Sequence, residues 1–185
     1  MRLFIAAIVL VWSSNFELHA QDSKIHWMSV EEVTEALKAD PRPIMMDVYT
    51  AWCGPCKMMM ANTFTNENLI AYVNKNFYAV KFDAESPTPV TYKGKVYSNP
   101  TYDPNKRGQR NGVHELSRML AVNAYPTIVY FNEKFDVITP ISGYKQPQQL
   151  QVLLTFFNDV YSIDLPPEKM QPLWDKHSAT FQGTW

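Results

Sequence analysis

The clearest pattern in the chain is a short apolar run, Ile44-Met45-Met46-Asp47-Val48-Tyr49, which reads as a buried strand. Before it, Lys24 to Trp27 suits a short first strand. Ser29-Val30-Glu31-Glu32 then gives an N-cap and an acidic first turn, with Val33, Ala36 and Leu37 on one helical face. Asp40-Pro41-Arg42-Pro43 ends that helix and turns the chain into the strand. After it, Lys57 to Ala61 has no Gly or Pro and suits a helix. A break is expected over Asn62 to Asn68, with Thr65 capping a second helical segment that runs to Lys75. Phe77 to Asp83 is the next strand, and His114 opens a helix through Leu120, as a surface or cap residue rather than a catalyst. Thr127 to Asn132 and Asp136 to Thr139 pair as a hairpin around Asn132-Glu133-Lys134. The last helix spans Gln148 to Tyr161, with Leu150, Leu153, Leu154 and Phe157 at helical spacing.

The first twenty residues have a different character. Arg2 precedes an apolar run from Leu3 to Trp12, and a polar stretch ends in Leu18-His19-Ala20. That is a positive n-region, a short h-region and a small residue at a cleavage point before Gln21, the pattern of a secretory signal peptide. A bilayer-spanning helix takes about 20 apolar residues, so no stable membrane anchor is expected, with an uncleaved N-terminal anchor as the second reading. No cysteine follows the h-region, which excludes a lipoprotein anchor. A periplasmic or secreted protein is expected. Cleavage after Ala20 leaves about 165 residues, enough for one domain with its own core. Seventeen basic residues against eighteen acidic ones give no electrostatic reason to bind nucleic acid or an anionic membrane surface.

The chemistry lies in Trp52-Cys53-Gly54-Pro55-Cys56-Lys57, which holds both cysteines of the 185-residue chain. A strand running into C-x-x-C at a helix opening is the context of a redox motif. At a helix N-terminus Cys53 meets unpaired N–H groups and the positive end of the macrodipole, which favour its thiolate. Cys56 lies one turn on and faces the same side, so it can resolve a mixed disulfide formed by Cys53. Pro55 sits where no intrahelical N–H bond is lost. Gly54 lets backbone pass close to a partner, and Trp52 covers the thiols with an apolar, partly exposed face. Two other readings compete. Zinc wants about four ligands, and His19, His26, His114 and His177 are scattered singly, so no metal or other cofactor is expected. A structural disulfide between residues three apart closes too short a loop to constrain the chain much. Asp47 inside an apolar strand is either buried with a raised pKa or placed on a solvated face.

These residues resemble the thioredoxin superfamily. Asp47 through Lys57 is similar to that family's active-site segment, and Val122-Asn123-Ala124-Tyr125-Pro126-Thr127-Ile128 to its cis-proline segment. Gly143 in Ile141-Ser142-Gly143-Tyr144 is a third landmark. The resemblance spans roughly residues 25 to 160 and implies an α/β, thioredoxin-like fold with a central mixed β-sheet flanked by helices. It divides the chain into a signal peptide (1–20), a thioredoxin-like domain (21–163) and a C-terminal extension (164–185). It implies that Pro126 is cis and faces the cysteine pair, exposing backbone that pairs with a substrate segment like an added strand. Tyr125 then touches substrate, or is simply a strand-end aromatic. The acid matching Asp47 lies beneath the resolving cysteine and helps move its proton. The implied activity is thiol–disulfide oxidoreductase: Cys53 and Cys56 form the redox-active disulfide, Cys53, Cys56 and Asp47 are catalytic, and Trp52, Gly54, Pro55, Tyr125 and Pro126 shape the substrate surface. Reduction of partner-protein disulfides is favoured, because Cys-Gly-Pro-Cys with Asp47 and Lys57 resembles reducing members. An oxidase or isomerase, or a peptide-binding module with vestigial cysteines, are the alternatives. The Thr-Phe pattern at Thr63-Phe64 is also similar to the thioredoxin domain of periplasmic thiol-reductant conveyors. An upstream dithiol donor, with such a membrane conveyor as one form of it, is the expected second partner.

Two regions fall outside the resemblance. An insertion of about residues 84–112 precedes the cis-proline strand. Within it Val90 to Tyr97 reads as a hairpin with a Lys-Gly turn, and Lys106, Arg107 and Arg110 form a small basic cluster. It either shapes a partner surface beside the active site or is a solvated decoration. In the tail, Trp174, Phe181 and Trp185 either dock on the domain or bind a partner.

Overall fold

The apolar run around Asp47 becomes β2 (Ile44–Tyr49), the middle of a five-stranded sheet. The computed structural model describes residues 23–185, so the expected signal peptide and cleavage point lie outside the described residues. On one side β2 pairs in parallel with β3 (Tyr78–Asp83), which pairs in parallel with β1 (Trp27–Met28). On the other it pairs antiparallel with β6 (Thr127–Phe131), followed by antiparallel β7 (Val137–Ser142). This is the mixed central sheet expected of a thioredoxin-like fold, and helices cover both faces.

Strand alternation divides the core. Ile44, Met46 and Val48 face one layer with Val80, Phe82, Leu116, Leu120 and Val129. Met45 faces the other, with Met59, Phe64, Leu69, Ile128, Tyr130, Leu150 and Leu154. That second layer consists of α2 (Gly54–Asn62), α3 (Glu67–Asn76) and α5 (Pro147–Thr155). The first contains α1 (Val30–Ala36) and α4 (Glu115–Met119). Ser29 and Glu32 cap α1 reciprocally, each side chain accepting from the other's backbone N–H.

Several boundaries differ from the sequence reading. Strand β1 starts at Trp27 rather than Lys24, because pairing with β3 begins at Trp27 opposite Ala79. Asn66, not Thr65, caps α3: its side chain accepts the Leu69 N–H, while the Thr65 hydroxyl donates back to Ala61 O and closes α2. Strand β7 runs on to Ser142. Helix α5 gives way to a single π turn over Phe156–Val160, close to the expected end at Tyr161. His114 does cap α4, but it is fully buried rather than on the surface. Its ring lies edge-on to Phe82, and its two nitrogens hold Leu116 N–H and Thr88 O.

The insertion packs against the domain and is not a solvated decoration. Its hairpin, β4 (Val90–Tyr92) and β5 (Lys95–Tyr97), lies on α1, and Thr91 N–H donates to the Glu31 carboxylate. Tyr92 is buried against Phe131 and Phe135. The loop beyond closes on itself: Asn99 donates to Gly112 O, and a Cβ at Gly112 would meet Thr101 backbone at 2.4 Å, so a larger residue does not fit. His114 N–H to Ala84 O at 2.8 Å ties the two ends together.

The tail forms α6 (Pro167–Thr180) and docks on α5 and α3. Trp174 meets Phe156 edge-on at 5.3 Å, and Trp185 lies against Tyr72 at the same centroid distance. Buried Gln151 exchanges hydrogen bonds with Thr184. Among the described residues no helix is long and apolar enough to cross a membrane.

Candidate active site

Helix α2 opens directly on the cysteine pair. Cys53 is its N-cap, and Gly54 and Pro55 form an exposed first turn with open space around Gly54. Cys53 and Cys56 are joined as a disulfide with a Cα–Cα distance of 5.3 Å. The Cys56 N–H donates to Cys53 Sγ at 3.1 Å, so one free donor of the helix end is aimed at this sulfur. Both cysteines are almost fully buried, at 2% and 4% exposure, beside the exposed Gly54–Pro55 turn.

Asp47 lies on the α2-facing side of β2 and is 2% exposed, which settles its two sequence readings in favour of burial. The parallel register sets Lys81 of β3 directly beside it, and Lys81 Nζ donates to Asp47 Oδ2 at 2.9 Å. Asp47 Oδ1 has no hydrogen-bond partner among the described residues. Burial pushes the Asp47 carboxyl above its ordinary range, and the Lys81 ammonium offsets part of that rise. The ammonium lies over the Tyr49 ring at 4.4 Å and the Trp27 ring at 5.0 Å, so two aromatic faces help hold the cation. A pocket of about 340 Å³ is lined by both Lys81 and Cys56, with Tyr49, Thr50 and Met60.

On the other side stands the Tyr125–Pro126 loop. This peptide bond is cis, and Pro126 O accepts the Gly143 N–H at 2.8 Å. Gly143 has φ +92°, a conformation glycine adopts without strain, which gives the third sequence landmark its physical reason. The Tyr125 ring meets the Trp52 ring edge-on at 6.1 Å, bringing this loop to the C-x-x-C segment. No backbone hydrogen bond engages Tyr125 among the described residues.

Trp52 is half-buried and held from three directions. Its indole N–H donates to Glu85 Oε2 at 2.9 Å, and the Arg110 guanidinium lies 4.7 Å from its ring centroid. Tyr125 supplies the third contact. The other Glu85 oxygen accepts the Asn111 N–H at 3.1 Å, so this one buried carboxylate joins the active-site tryptophan to the insertion.

The structure thus brings Tyr125 to Trp52 beside the Cys53–Gly54–Pro55–Cys56 turn, sets Asp47 with Lys81 near Met60 of α2, and ties Pro126 to Gly143. Sequence reasoning missed Lys81 and Glu85. Lys81 is a cation between apolar Val80 and Phe82, which marks it as unusual without naming its partner. Glu85 carried no comparable mark. Among the described residues no group of three His, Cys, Asp or Glu side chains is placed to hold a metal ion.

Comparison with known proteins follows the same lines. A family model described as a thioredoxin-like domain matches residues 30–158. A thioredoxin-like protein of Synechocystis is 28% identical over 90 residues, covering 46% of this chain and 83% of that protein. Thioredoxin-2 of Saccharomyces cerevisiae is 31% identical over 97 residues, covering 51% and 83%. Among solved structures, the DsbH oxidoreductase superposes with a TM-score of 0.54 at 14% identity, covering 76% of this chain and 89% of that one. A thioredoxin-fold protein from Helicobacter pylori gives 0.55 at 17% identity, covering 76% and 86%. At such identities the structural likeness shows the fold alone.

Proposed function

Because the chain belongs to the thioredoxin-like domain family, we propose that it is an exported thiol–disulfide oxidoreductase that reduces disulfides in partner proteins through Cys53 and Cys56. The observation that carries this reading is the placement of Cys53 as N-cap of α2, with buried Asp47 paired to Lys81, which lines the same pocket as Cys56. In the reduced protein the Cys53 thiolate attacks one sulfur of a partner disulfide. The other partner sulfur leaves as a thiolate, and a mixed disulfide remains. Cys56 then loses its proton toward Asp47 and attacks Cys53 Sγ. The second partner sulfur leaves, and two electrons have passed from the Cys53/Cys56 dithiol to the partner. A carboxyl whose pKa is raised by burial is suited to accept and return that proton near neutrality. Lys81 positions the carboxylate.

Substrate pairs with the Tyr125 backbone, lies against Trp52 and crosses the exposed Gly54–Pro55 turn, while Pro126 shapes that loop. The reducing direction is supported by the weak stabilisation on offer to a Cys53 thiolate. One N–H donates to its sulfur, and Cys53 itself is 2% exposed. Strong oxidants have a well-stabilised reduced form, and these features oppose that. The Arg2 and Leu3–Trp12 pattern supports export. A reductase outside the cytoplasm is re-reduced by an upstream dithiol, of which a membrane thiol-reductant conveyor is one form.

The test is a trap. Reduced Cys56→Ser protein mixed with insulin is expected to accumulate a dithiothreitol-sensitive mixed disulfide through Cys53. The Cys53→Ser, Cys56→Ser double variant forms none. Absence of the adduct in the single variant would overturn the reading.

A further inference from the structure

The insertion adds a wall to the substrate side of the site, and its charge is one-sided. A groove of about 660 Å³ starts at Trp52, the residue next to Cys53, and runs past Tyr125 between Arg110 of the insertion and Arg118 of α4. This volume is that of ordinary ligand sites. Both arginines are exposed, and neither guanidinium has an ion-pair partner among the described residues. The one carboxylate lining the groove, Glu85, is buried and has an oxygen committed to Trp52 and the other to Asn111. The groove therefore presents two cations to a ligand, and its own anion is turned inward. Arg110 is held in place by the Trp52 ring, and guanidinium groups match carboxylates in a two-point geometry. The Tyr125 backbone, free of internal backbone hydrogen bonds among the described residues, runs along the same groove. An extended chain segment can thus pair there while its side chains reach the arginines.

We propose that this groove selects partner proteins whose reacting cysteine is flanked by aspartate or glutamate, with Arg110 and Arg118 as the specificity-determining residues. The proposal rests on the oxidoreductase reading above and names its substrate class. The acidic segment enters extended, with its cysteine disulfide over the Gly54–Pro55 turn and its carboxylates between the two guanidinium groups.

The test uses extended peptides whose single cysteine is capped as a disulfide with 2-mercaptoethanol. One set carries Asp on both sides of the cysteine, a second Asn and a third Lys. Reduced protein is mixed with each, and bis(2-hydroxyethyl) disulfide serves as an uncharged reference. The acidic peptide is expected to react about fivefold faster than the neutral one per guanidinium contact at low ionic strength. The ratio is expected to fall toward one at about 1 M salt, where the Debye length is roughly 3 Å. In the Arg110→Gln, Arg118→Gln double variant the acidic-to-neutral ratio falls to about one, and in Arg118→Glu the order shifts toward the Lys peptide. Equal rates for acidic and neutral peptides with the unaltered protein, or a preference that survives in the double variant, would overturn the proposal. Failure of the unaltered protein to reduce even the uncharged reference would instead overturn the oxidoreductase reading, and the substrate class with it.

Discussion

Replacing Asp47 with Asn removes the charge and keeps the shape. The carboxylate is 2% exposed; Oδ2 is paired with Lys81 at 2.9 Å, and Oδ1 has no partner among the described residues. One desolvated oxygen is therefore uncompensated whenever the group is ionised. The Lys81 side chain keeps 23% of its surface, so it remains partly hydrated after the substitution and loses less than a buried cation would. The balance favours the variant by about 1–2 kcal/mol at pH 8, or roughly 2–8 °C in Tm for a chain of this size. The pH dependence carries the sign. Burial raises the folded-state pKa of Asp47 above the unfolded value, so its contribution to stability is present below the unfolded pKa and lost as pH rises through the folded one. The advantage of Asp47→Asn should thus be full at alkaline pH and vanish in acid, where both side chains are neutral. Thermal unfolding of the two oxidised proteins across pH measures it. The same variant, reduced, should resolve mixed disulfides at least about tenfold more slowly at neutral pH in a stopped-flow measurement. An Asp47→Asn protein less stable than the original at pH 8, or a gap that does not close in acid, would refute the burial argument. An unchanged resolution rate would refute the proton role.

Other consequences follow from the same contacts. Glu85→Ala deprives Trp52 N–H and Asn111 N–H of their shared acceptor; it should lower stability by about 1–3 kcal/mol and shift the Trp52 fluorescence, and an unshifted spectrum would contradict the coupling. Buried His114 is held neutral, its Nδ1 accepting from Leu116 N–H while Nε2–H donates to Thr88 O, and burial lowers its pKa from 6.5. Its stabilisation is present above about pH 6.5 and lost as pH falls through the lowered folded value, at no more than about 1.4 kcal/mol per pH unit. His114→Asn keeps a capping side chain without the titration and should show a flatter stability profile between pH 7 and 5; identical slopes would sink this account.

The parts of the molecule that sequence discloses are those whose physics is local. Apolar runs foretold β2, β3 and β6, and the spacing of Cys53 and Cys56 before a Gly- and Pro-free stretch foretold the helix that presents them. Choices between neighbours were harder: Thr65 and Asn66 can each cap a helix, and only the path of the turn decides that Thr65 closes α2 while Asn66 opens α3. Contacts set by strand register were not legible at all. Lys81 meets Asp47 because β2 and β3 run parallel in one register, and a slip of one residue would turn it to the opposite layer. Helix α6 was hidden for a different reason. It has a polar composition and Pro172 inside it, and its order comes from Trp174 and His177 packing on Phe156.

The central claim is that Cys53 and Cys56 form a reducing dithiol. Their reduction potential, measured by equilibrating the protein with dithiothreitol or glutathione buffers and counting free thiols, tests it most directly. The account predicts a value near or below about −250 mV; a value above about −180 mV would contradict it and point to an oxidase or isomerase.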